Sequence, residues 1–127
     1  MAPLRILLVD DSAEFLESAA RFLTMYQDLI LVGSASSGRD AIARAAELKP
    51  DLVLIDLAMP ELNGLETTRL LKARAEAPRV VIMTLYDNTE YRAAAREAAA
   101  DGFIAKSAMR SQLFPMIANL FAKPAII

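Results

Sequence analysis

Short blocks of aliphatic residues recur along this chain, separated by longer segments in which apolar residues are spaced three or four positions apart. The aliphatic blocks show little alternation between apolar and polar residues, which is typical of strands in a parallel sheet that is covered on both faces. They predict strands at residues 4–9, 29–34, 52–55, 79–84 and 102–105.

The longer segments predict five helices, because their apolar residues form one face at helical spacing. These helices span residues 12–26, 38–48, 63–75, 88–100 and 109–122. Ser12 is suited to cap the first helix, Pro50 ends the second, and the fourth is rich in alanine, which favours helix.

Pro115 conflicts with the fifth helix. A proline in a helix interior removes a hydrogen bond and clashes with the preceding turn, which costs about 3 kcal/mol. We therefore expect a late helix start near Ser111 or a kink at Pro115, unless the boundary itself is misplaced.

Five strand–helix units without long linkers predict an α/β fold with a doubly wound, five-stranded parallel sheet and right-handed crossovers. The length of 127 residues predicts one domain of ordinary size, residues 1–127. Because 55% of the residues are hydrophobic, the core can be large and a disordered chain is excluded.

Composition removes several classes of function. The net charge of −2 and the pI of about 5.1 give no electrostatic case for direct binding of nucleic acid. The absence of cysteine and histidine excludes disulfides, thiol or imidazole catalysis, and a phosphohistidine on this chain. The apolar residues 1–9 are too short, and end in too acidic a segment, for a signal peptide or membrane span, so we expect a cytoplasmic protein.

Charged or hydroxylated residues mark the ends of four predicted strands. Asp10 and Asp11 follow the first strand and Asp56 the third, Thr84 ends the fourth, and Lys106 follows the fifth. Ligands of parallel α/β sheets bind at the carboxyl ends of the strands. If the first and third strands are neighbours, three carboxylates therefore meet in one pocket.

Such a cluster predicts a bound cation. Two carboxylates about 4 Å apart repel by roughly 4 kcal/mol at an effective dielectric of 20, and hard oxygen ligands suit Mg²⁺ or Mn²⁺. A metal ion, the ammonium of Lys106 and the hydroxyl of Thr84 around one carboxylate also suit a transferring phosphoryl group. Asp56 would then be the nucleophile that forms an acyl phosphate.

Each of these residues also has a plainer explanation when it is considered alone. Asp11 can simply cap the next helix, Lys106 can be a solvated surface charge, and Thr84 can be an ordinary β-branched strand residue. Their conjunction at the expected strand ends supports the site.

At these residues the sequence resembles a response-regulator receiver domain, the CheY-like phosphorylation target of two-component signalling. The motifs "VDDS", "LIDLAMPELNG", "VIMT" and "GFIAKS" carry the resemblance, which covers essentially the whole chain. It implies the flavodoxin-like strand order 2-1-3-4-5 with five helices.

The resemblance also implies roles around a magnesium ion. Asp56 corresponds to the phosphoacceptor, Asp11 to a direct metal ligand, and Asp10 to a ligand that acts largely through water. The backbone carbonyl of Ala58 would complete the protein's part of the metal shell.

Further roles concern phosphoryl binding and switching. Lys106 resembles the phosphoryl-binding lysine, Thr84 the switch hydroxyl, and Phe103 the switch aromatic, although Phe103 is equally compatible with an ordinary core residue. Two positions depart from the common pattern. Leu85 stands where a small residue is usual, and Ser107 where a proline after a cis peptide bond is common.

The implied function is phosphorelay signalling rather than enzymatic turnover of a substrate. A histidine kinase or phosphotransfer protein would donate the phosphoryl group to Asp56 in a Mg²⁺-dependent reaction, and water would later remove it. The face formed by the fourth helix, fifth strand and fifth helix would then act on an output domain, such as a helix-turn-helix domain absent here, or on a homodimer partner. Direct binding to nucleic acid or membrane through this domain is not expected.

Three alternatives stay open. A flavodoxin-like nucleotide binder would need a Ser/Thr/Gly-rich first loop, where this chain has two aspartates. An aspartyl phosphohydrolase would need a second carboxylate at position 58, which is alanine. A receiver-like domain could also act only by binding other proteins, either as a stand-alone chain or as a fragment of a longer regulator.

Overall fold

The computed structural model describes residues 3–122 of the chain. Its strands are β1 (Leu4–Val9), β2 (Leu29–Ala35), β3 (Leu52–Asp56), β4 (Arg79–Thr84) and β5 (Gly102–Ala105). Its helices are α1 (Ala13–Leu23), α2 (Gly38–Leu48), α3 (Gly64–Lys72), α4 (Thr89–Glu97) and α5 (Met109–Leu120), and a 3₁₀ turn at Lys106–Ala108 precedes α5.

The five strands form one parallel sheet in the order β2-β1-β3-β4-β5, which confirms the predicted fold class and strand order. The aliphatic runs explain this topology, because a central parallel strand is covered on both faces. All five residues of β3 are buried. The pairing of β1 with β2 shifts register between Ile6 and Leu7, an irregularity that the sequence pattern does not predict.

Alternate residues of the central strands supply two separate cores. On one face, Ile6 and Leu8 pack in a cluster with Leu23 of α1 and Leu113 of α5. On the other face, the cluster contains side chains from β1, β3 and β4 together with helices α2, α3 and α4, and includes Leu7, Val9, Val53, Ala41, Leu71 and Ala95. The sheet is therefore a rigid platform with helices on both sides.

Polar side chains cap the starts of four helices, α1 to α4, at the edge where the strands end. Ser12 accepts a hydrogen bond from the backbone N–H of Phe15 (3.2 Å), and Asn88 accepts one from Tyr91 (2.8 Å). Asn63 and Glu66 form a reciprocal capping box at the start of α3. Because these caps fix the first helical turns, they also fix the loops that carry the site.

Helix ends differ from the predicted boundaries by a few residues. Helix α1 ends at Leu23 rather than near residue 26, α3 at Lys72 rather than 75, and α4 at Glu97 rather than 100. The chain leaves α4 through Ala99, whose φ of 68° lies in the left-handed region. No glycine or proline marks these three ends, so the sequence pattern carries too little information to place them.

Pro115 lies inside α5, which already begins at Met109, so the expected late start near Ser111 is wrong. Burial of Leu113 and Ile117 against the first core explains the result. Each buried aliphatic side chain contributes about 1.5–3 kcal/mol, which together matches or exceeds the roughly 3 kcal/mol cost of the proline. The proline ring itself is exposed. Between residues 3 and 122, the helices are too short or too polar to cross a membrane.

Candidate metal centre and phosphoacceptor site

Three carboxylates meet where β1 and β3 end side by side. The strands pair with Val9 opposite Ile55, so the aspartates that follow are neighbours. Asp10, Asp11 and Asp56 each offer a carboxylate oxygen, and these oxygens lie within 4.8 Å of one another. Asp10 and Asp56 are buried, with 1% and 5% exposure, whereas Asp11 is exposed.

Lys106 brings one positive charge to this cluster from the end of β5. Its Nζ lies 2.6 Å from Oδ2 of Asp10 and 3.2 Å from Oδ1 of Asp56. The lysine side chain is 11% exposed, so both ion pairs are largely shielded from water. The structure therefore brings together four of the residues that the sequence proposed for the site.

The electrostatics of the cluster shift the titration of its central carboxyl group. The pKa of Asp56 is raised to about 6, mainly by burial and next by repulsion from the neighbouring Asp10 carboxylate. Lys106 opposes this shift by stabilising the ionised form, and Asp11 adds a smaller repulsion. At neutral pH the cluster therefore holds excess negative charge.

Both oxygens of Asp10 are already engaged. Oδ2 accepts from Lys106, and Oδ1 accepts a hydrogen bond of 2.9 Å from the backbone N–H of Ser12. Asp10 is thereby held at the start of the loop that leads into α1. Asp11, the next residue, lies at the exposed side of the cluster.

The turn between β3 and α3 packs closely against the backbone of Asp56. The N–H of Gly64 donates to the carbonyl of Leu57 (2.9 Å), so α3 begins directly against the end of β3. A Cβ at position 64 would lie 2.2 Å from the carbonyl oxygen of Asp56, a distance that real atoms do not tolerate. The Asn63-Gly64 pair therefore has two roles. Asn63 caps α3, and Gly64 allows the start of α3 to lie against the backbone of Asp56.

Thr84 is buried near the site, but its hydroxyl is bound within the following loop. It donates to the carbonyl of Tyr86 and accepts from the N–H of Tyr86, both at 3.1 Å. Leu85, which stands where the family usually has a small residue, has 71% of its surface exposed.

Phe103 and Ala58 are the two remaining residues that the sequence proposed for the site. The ring of Phe103 packs against the second core and lies 5.1 Å from the guanidinium carbon of Arg92, which is also paired with Asp87. Ala58 is exposed, two residues beyond Asp56. The metal-binding role of its carbonyl and the switching role of Phe103 stay predictions.

The peptide bond before Ser107, where the family commonly has a proline after a cis bond, is in the trans form. Among residues 3–122 there are no cis peptide bonds, so the bond between Lys106 and Ser107 is trans. The chain enters the 3₁₀ turn directly at Lys106.

One neighbour of the site is not predicted from the sequence. The Nζ of Lys106 lies 4.2 Å from the centre of the Phe15 ring on α1. The spacing of apolar residues in α1 places Phe15 on the apolar face of the helix, but this spacing does not reveal which side chain from another part of the chain it meets.

The donor set fits a small, hard divalent cation. Three carboxylates and one ammonium leave two excess negative charges when all the acids are ionised, and the donors are oxygens, which Mg²⁺ prefers. The spacing of the oxygens requires only small side-chain movements to reach a common ion. The structure thus contains an acidic cluster suited to Mg²⁺, the kind of pocket in which receiver domains bind this metal.

Comparisons with known proteins agree with this geometry. The family model described as response regulator receiver domain matches residues 6–118. The chain is similar to the response regulator protein VraR of Staphylococcus saprophyticus, with 34% identity over 126 residues, covering 98% of this chain and 59% of that protein. It is also 36% identical over 104 residues to the nitrate/nitrite response regulator protein NarL of Escherichia coli, covering 82% of this chain and 48% of the relative.

One solved structure is similar to this chain in both fold and sequence. The LuxR-family two-component response regulator from Aurantimonas sp. superposes with a TM-score of 0.88 and 29% identity, covering 98% of this chain and 90% of that one. The chain spans about half the length of the curated relatives it matches. Because the family match includes all or part of all ten strands and helices, we conclude that the chain belongs to the response regulator receiver domains, the regulatory phosphoacceptors of two-component signalling.

Proposed function

We propose that residues 1–127 act as one receiver domain in which Asp56 accepts a phosphoryl group from the phosphohistidine of a kinase or phosphotransfer protein. The observation that carries this proposal is the buried Asp56 carboxylate, set between two further carboxylates and the ammonium of Lys106. The donor histidine must come from the partner, because this chain contains none.

The metal-binding residues would be Asp11, Asp56 and the carbonyl of Ala58, with Asp10 acting through water. The indirect role of Asp10 is supported by its two oxygens, which are occupied by Ser12 and Lys106. When bound, Mg²⁺ supplies positive charge that neutralises the oxygens of the transferring phosphoryl group.

The chain's own residues supply the rest of the chemistry. An oxygen of Asp56 attacks the phosphorus atom, the P–N bond to the donor imidazole breaks, and its electron pair stays on that nitrogen. Lys106 already lies 3.2 Å from Asp56 and pairs with the negative oxygens that arrive. Reset follows when water attacks the acyl phosphate and Asp56 leaves as a carboxylate. Both steps are promoted by the domain itself, but no other substrate is turned over.

Signalling would begin at Thr84. Its hydroxyl must leave the backbone of Tyr86 before it can donate to a phosphoryl oxygen on Asp56. This movement would reshape the loop before α4, allow Phe103 to reorient, and alter the face formed by α4, β5 and α5. The partner of this face would be an output domain, such as a helix-turn-helix DNA-binding domain, or a second copy of the receiver.

Phosphorylation by a small phosphodonor tests the proposal. Wild-type protein incubated with acetyl phosphate and Mg²⁺ should gain one phosphoryl group that base or hydroxylamine removes, detected by intact-mass spectrometry. Asp56→Asn should abolish labelling, as should removal of Mg²⁺ by a chelator. Asp28→Asn is the matched control, because Asp28 is exposed and far along the chain from the cluster. Persistent labelling of Asp56→Asn would remove Asp56 from its proposed role.

A further inference from the structure

Two carboxylates and one aromatic ring lie against the ammonium group of Lys106. Asp10 and Asp56 lie on the strand side, and the face of the Phe15 ring lies 4.2 Å away on the side of α1. An ammonium group has three N–H bonds, and the π face of an aromatic ring attracts such a cation, most strongly where water is excluded. The lysine side chain is only 11% exposed.

The position of Phe15 is itself well fixed. It is the third residue of α1, and its backbone N–H donates to the capping hydroxyl of Ser12. Its ring is partly buried and packs against the first core. The ring is therefore held by both the helix start and the core.

Without this ring, the lysine would have other positions available. A cleft of about 70 Å³ lies beside it, between α1 and the start of α5, and is lined by Phe15, Ser18, Ala19, Phe22, Lys106, Met109 and Arg110. A smaller aliphatic residue at position 15 would enlarge this cleft. The flexible four-carbon stem of lysine could then carry the ammonium away from Asp56.

We infer that Phe15 is a positioning residue for phosphoryl transfer, whose ring face holds the Lys106 ammonium beside Asp56. This role rests on the proposed phosphorylation of Asp56. Phe15 contacts neither the phosphoryl group nor the metal in this scheme; it acts only through Lys106.

The geometry can be tested without metal or phosphoryl donor. In the metal-free wild-type protein, the methylene protons next to Nζ of Lys106 should show an upfield ring-current shift in NMR spectra. Phe15→Leu should remove this shift, and Phe15→Tyr should keep it. Equal chemical shifts in all three proteins would overturn the inferred contact.

A functional test distinguishes the electrostatic effect of the Phe15 ring face from the effect of the ring's size and shape. Fluorinated phenylalanines with one, two and three fluorines, incorporated at position 15 alone, weaken the negative face of the ring with little change in volume. The initial rate of labelling by acetyl phosphate and Mg²⁺ should fall stepwise along this series. Phe15→Leu should lower the rate roughly 2- to 30-fold, and Phe15→Tyr should restore most of it.

The same fluorinated residues at Phe114 are the control, since this ring stacks on Tyr26 in the first core and does not line the cleft beside Lys106. They should leave the labelling rate unchanged. If wild-type protein is labelled on Asp56 but the rate ignores fluorination at position 15, the role of Phe15 is overturned and the proposed function stands. If wild-type protein takes no phosphoryl group from any donor, the proposed function fails, and with it the role of Phe15 in transfer.

Discussion

The Nζ of Lys106 lies 2.6 Å from Oδ2 of Asp10, a residue 96 positions away in the chain. This distance is shorter than the 3.2 Å that separates the same nitrogen from Asp56. The lysine therefore lies closer to Asp10 than to Asp56, the proposed phosphoacceptor. Both buried carboxylates depend on one ammonium group for compensation.

We predict that Lys106→Met destabilises the metal-free protein. Removing one partner of a buried ion pair leaves uncompensated charge, which typically costs about 3–5 kcal/mol. Proton uptake by Asp56 limits this cost, so we expect a loss of roughly 2–4 kcal/mol in the free energy of unfolding at pH 8. The loss should be smaller at pH 5, where a pKa of about 6 already leaves Asp56 mostly protonated.

Urea denaturation in the presence of a chelator measures this difference. Lys49→Met is the matched control, because Lys49 is exposed at the end of α2 and the substitution keeps a long, unbranched side chain. The prediction is wrong if the two variants lose the same stability at pH 8, or if the loss for Lys106→Met does not depend on pH.

Asp56→Asn should have the opposite effect on stability. Burial raises the pKa of Asp56 from 3.8 to about 6, so the folded state binds the proton more tightly than the unfolded state. The resulting stabilisation is fully present below pH 3.8 and is lost as the pH rises through 6. Above this range the ionised carboxylate costs the fold up to roughly 3 kcal/mol, a penalty that asparagine does not carry.

We therefore expect metal-free Asp56→Asn to be more stable than wild type by roughly 1–3 kcal/mol at pH 8, with little difference near pH 4. Chemical denaturation at the two pH values measures both quantities, and Asp28→Asn controls for the loss of an exposed carboxylate. A variant less stable than wild type at pH 8 would show that Lys106 outweighs burial and repulsion. Saturating Mg²⁺ should reduce the advantage of the variant, because the metal stabilises the wild-type cluster.

The sequence was informative wherever an aliphatic run met a polar residue. The runs that end at Val9, Ile55 and Thr84 define buried parallel strands, and their ends must share one edge of the sheet. The proximity of Asp10, Asp11 and Asp56 follows from this rule once β1 and β3 are adjacent. The order of the strands in the sheet, in contrast, was predicted from the family resemblance.

The pattern of apolar and polar residues could not predict side-chain contacts between elements that are distant in the sequence. The ring of Phe15 meets Lys106 only because α1 packs beside the start of α5. The closer pairing of Lys106 with Asp10 depends on differences of less than 1 Å. Pro115 shows the same limit, because burial of its neighbours overrides a local signal that predicted a different start for α5.

Gly64→Ala should damage both the stability and the chemistry of the domain. The new Cβ would lie 2.2 Å from the carbonyl oxygen of Asp56 and 2.9 Å from Cα of Leu57, and neither backbone atom can move freely. We expect a loss of roughly 2–4 kcal/mol in the free energy of unfolding and at least a tenfold slower labelling of Asp56, on the order that misplacement of a reacting group produces.

Gly33→Ala is the contrasting control. Its Cβ would meet Cδ1 of Leu48 at 2.7 Å, but this atom is the end of a flexible side chain that can change rotamer. We expect a change within about 1 kcal/mol and a normal labelling rate. Chemical denaturation and the labelling rate of Asp56 should be measured for both variants. Equal losses of stability and equal labelling rates in the two alanine variants would contradict a specific role for Gly64.

The bond between Thr84 and Tyr86 gives a test of the switching step. The buried hydroxyl of Thr84 accepts the backbone N–H of Tyr86 at 3.1 Å, and this loop residue is otherwise 68% exposed. Thr84→Val keeps the shape of the side chain but removes the acceptor, so the Tyr86 amide should exchange roughly 2- to 10-fold faster with solvent deuterium, as expected for the loss of a hydrogen bond worth about 0.5–1.5 kcal/mol. Thr84→Ser retains the hydroxyl and should preserve the protection.

Phosphorylation should reproduce the effect of the valine substitution in the wild-type protein. If the hydroxyl leaves Tyr86 to donate to the phosphoryl group, the Tyr86 amide loses its acceptor at the same moment. Exchange at this amide should therefore accelerate on phosphorylation of wild type and of Thr84→Ser, but show no further change in Thr84→Val. Unchanged exchange in phosphorylated wild type would mean that Thr84 stays bound to the loop, and that the domain signals by another movement.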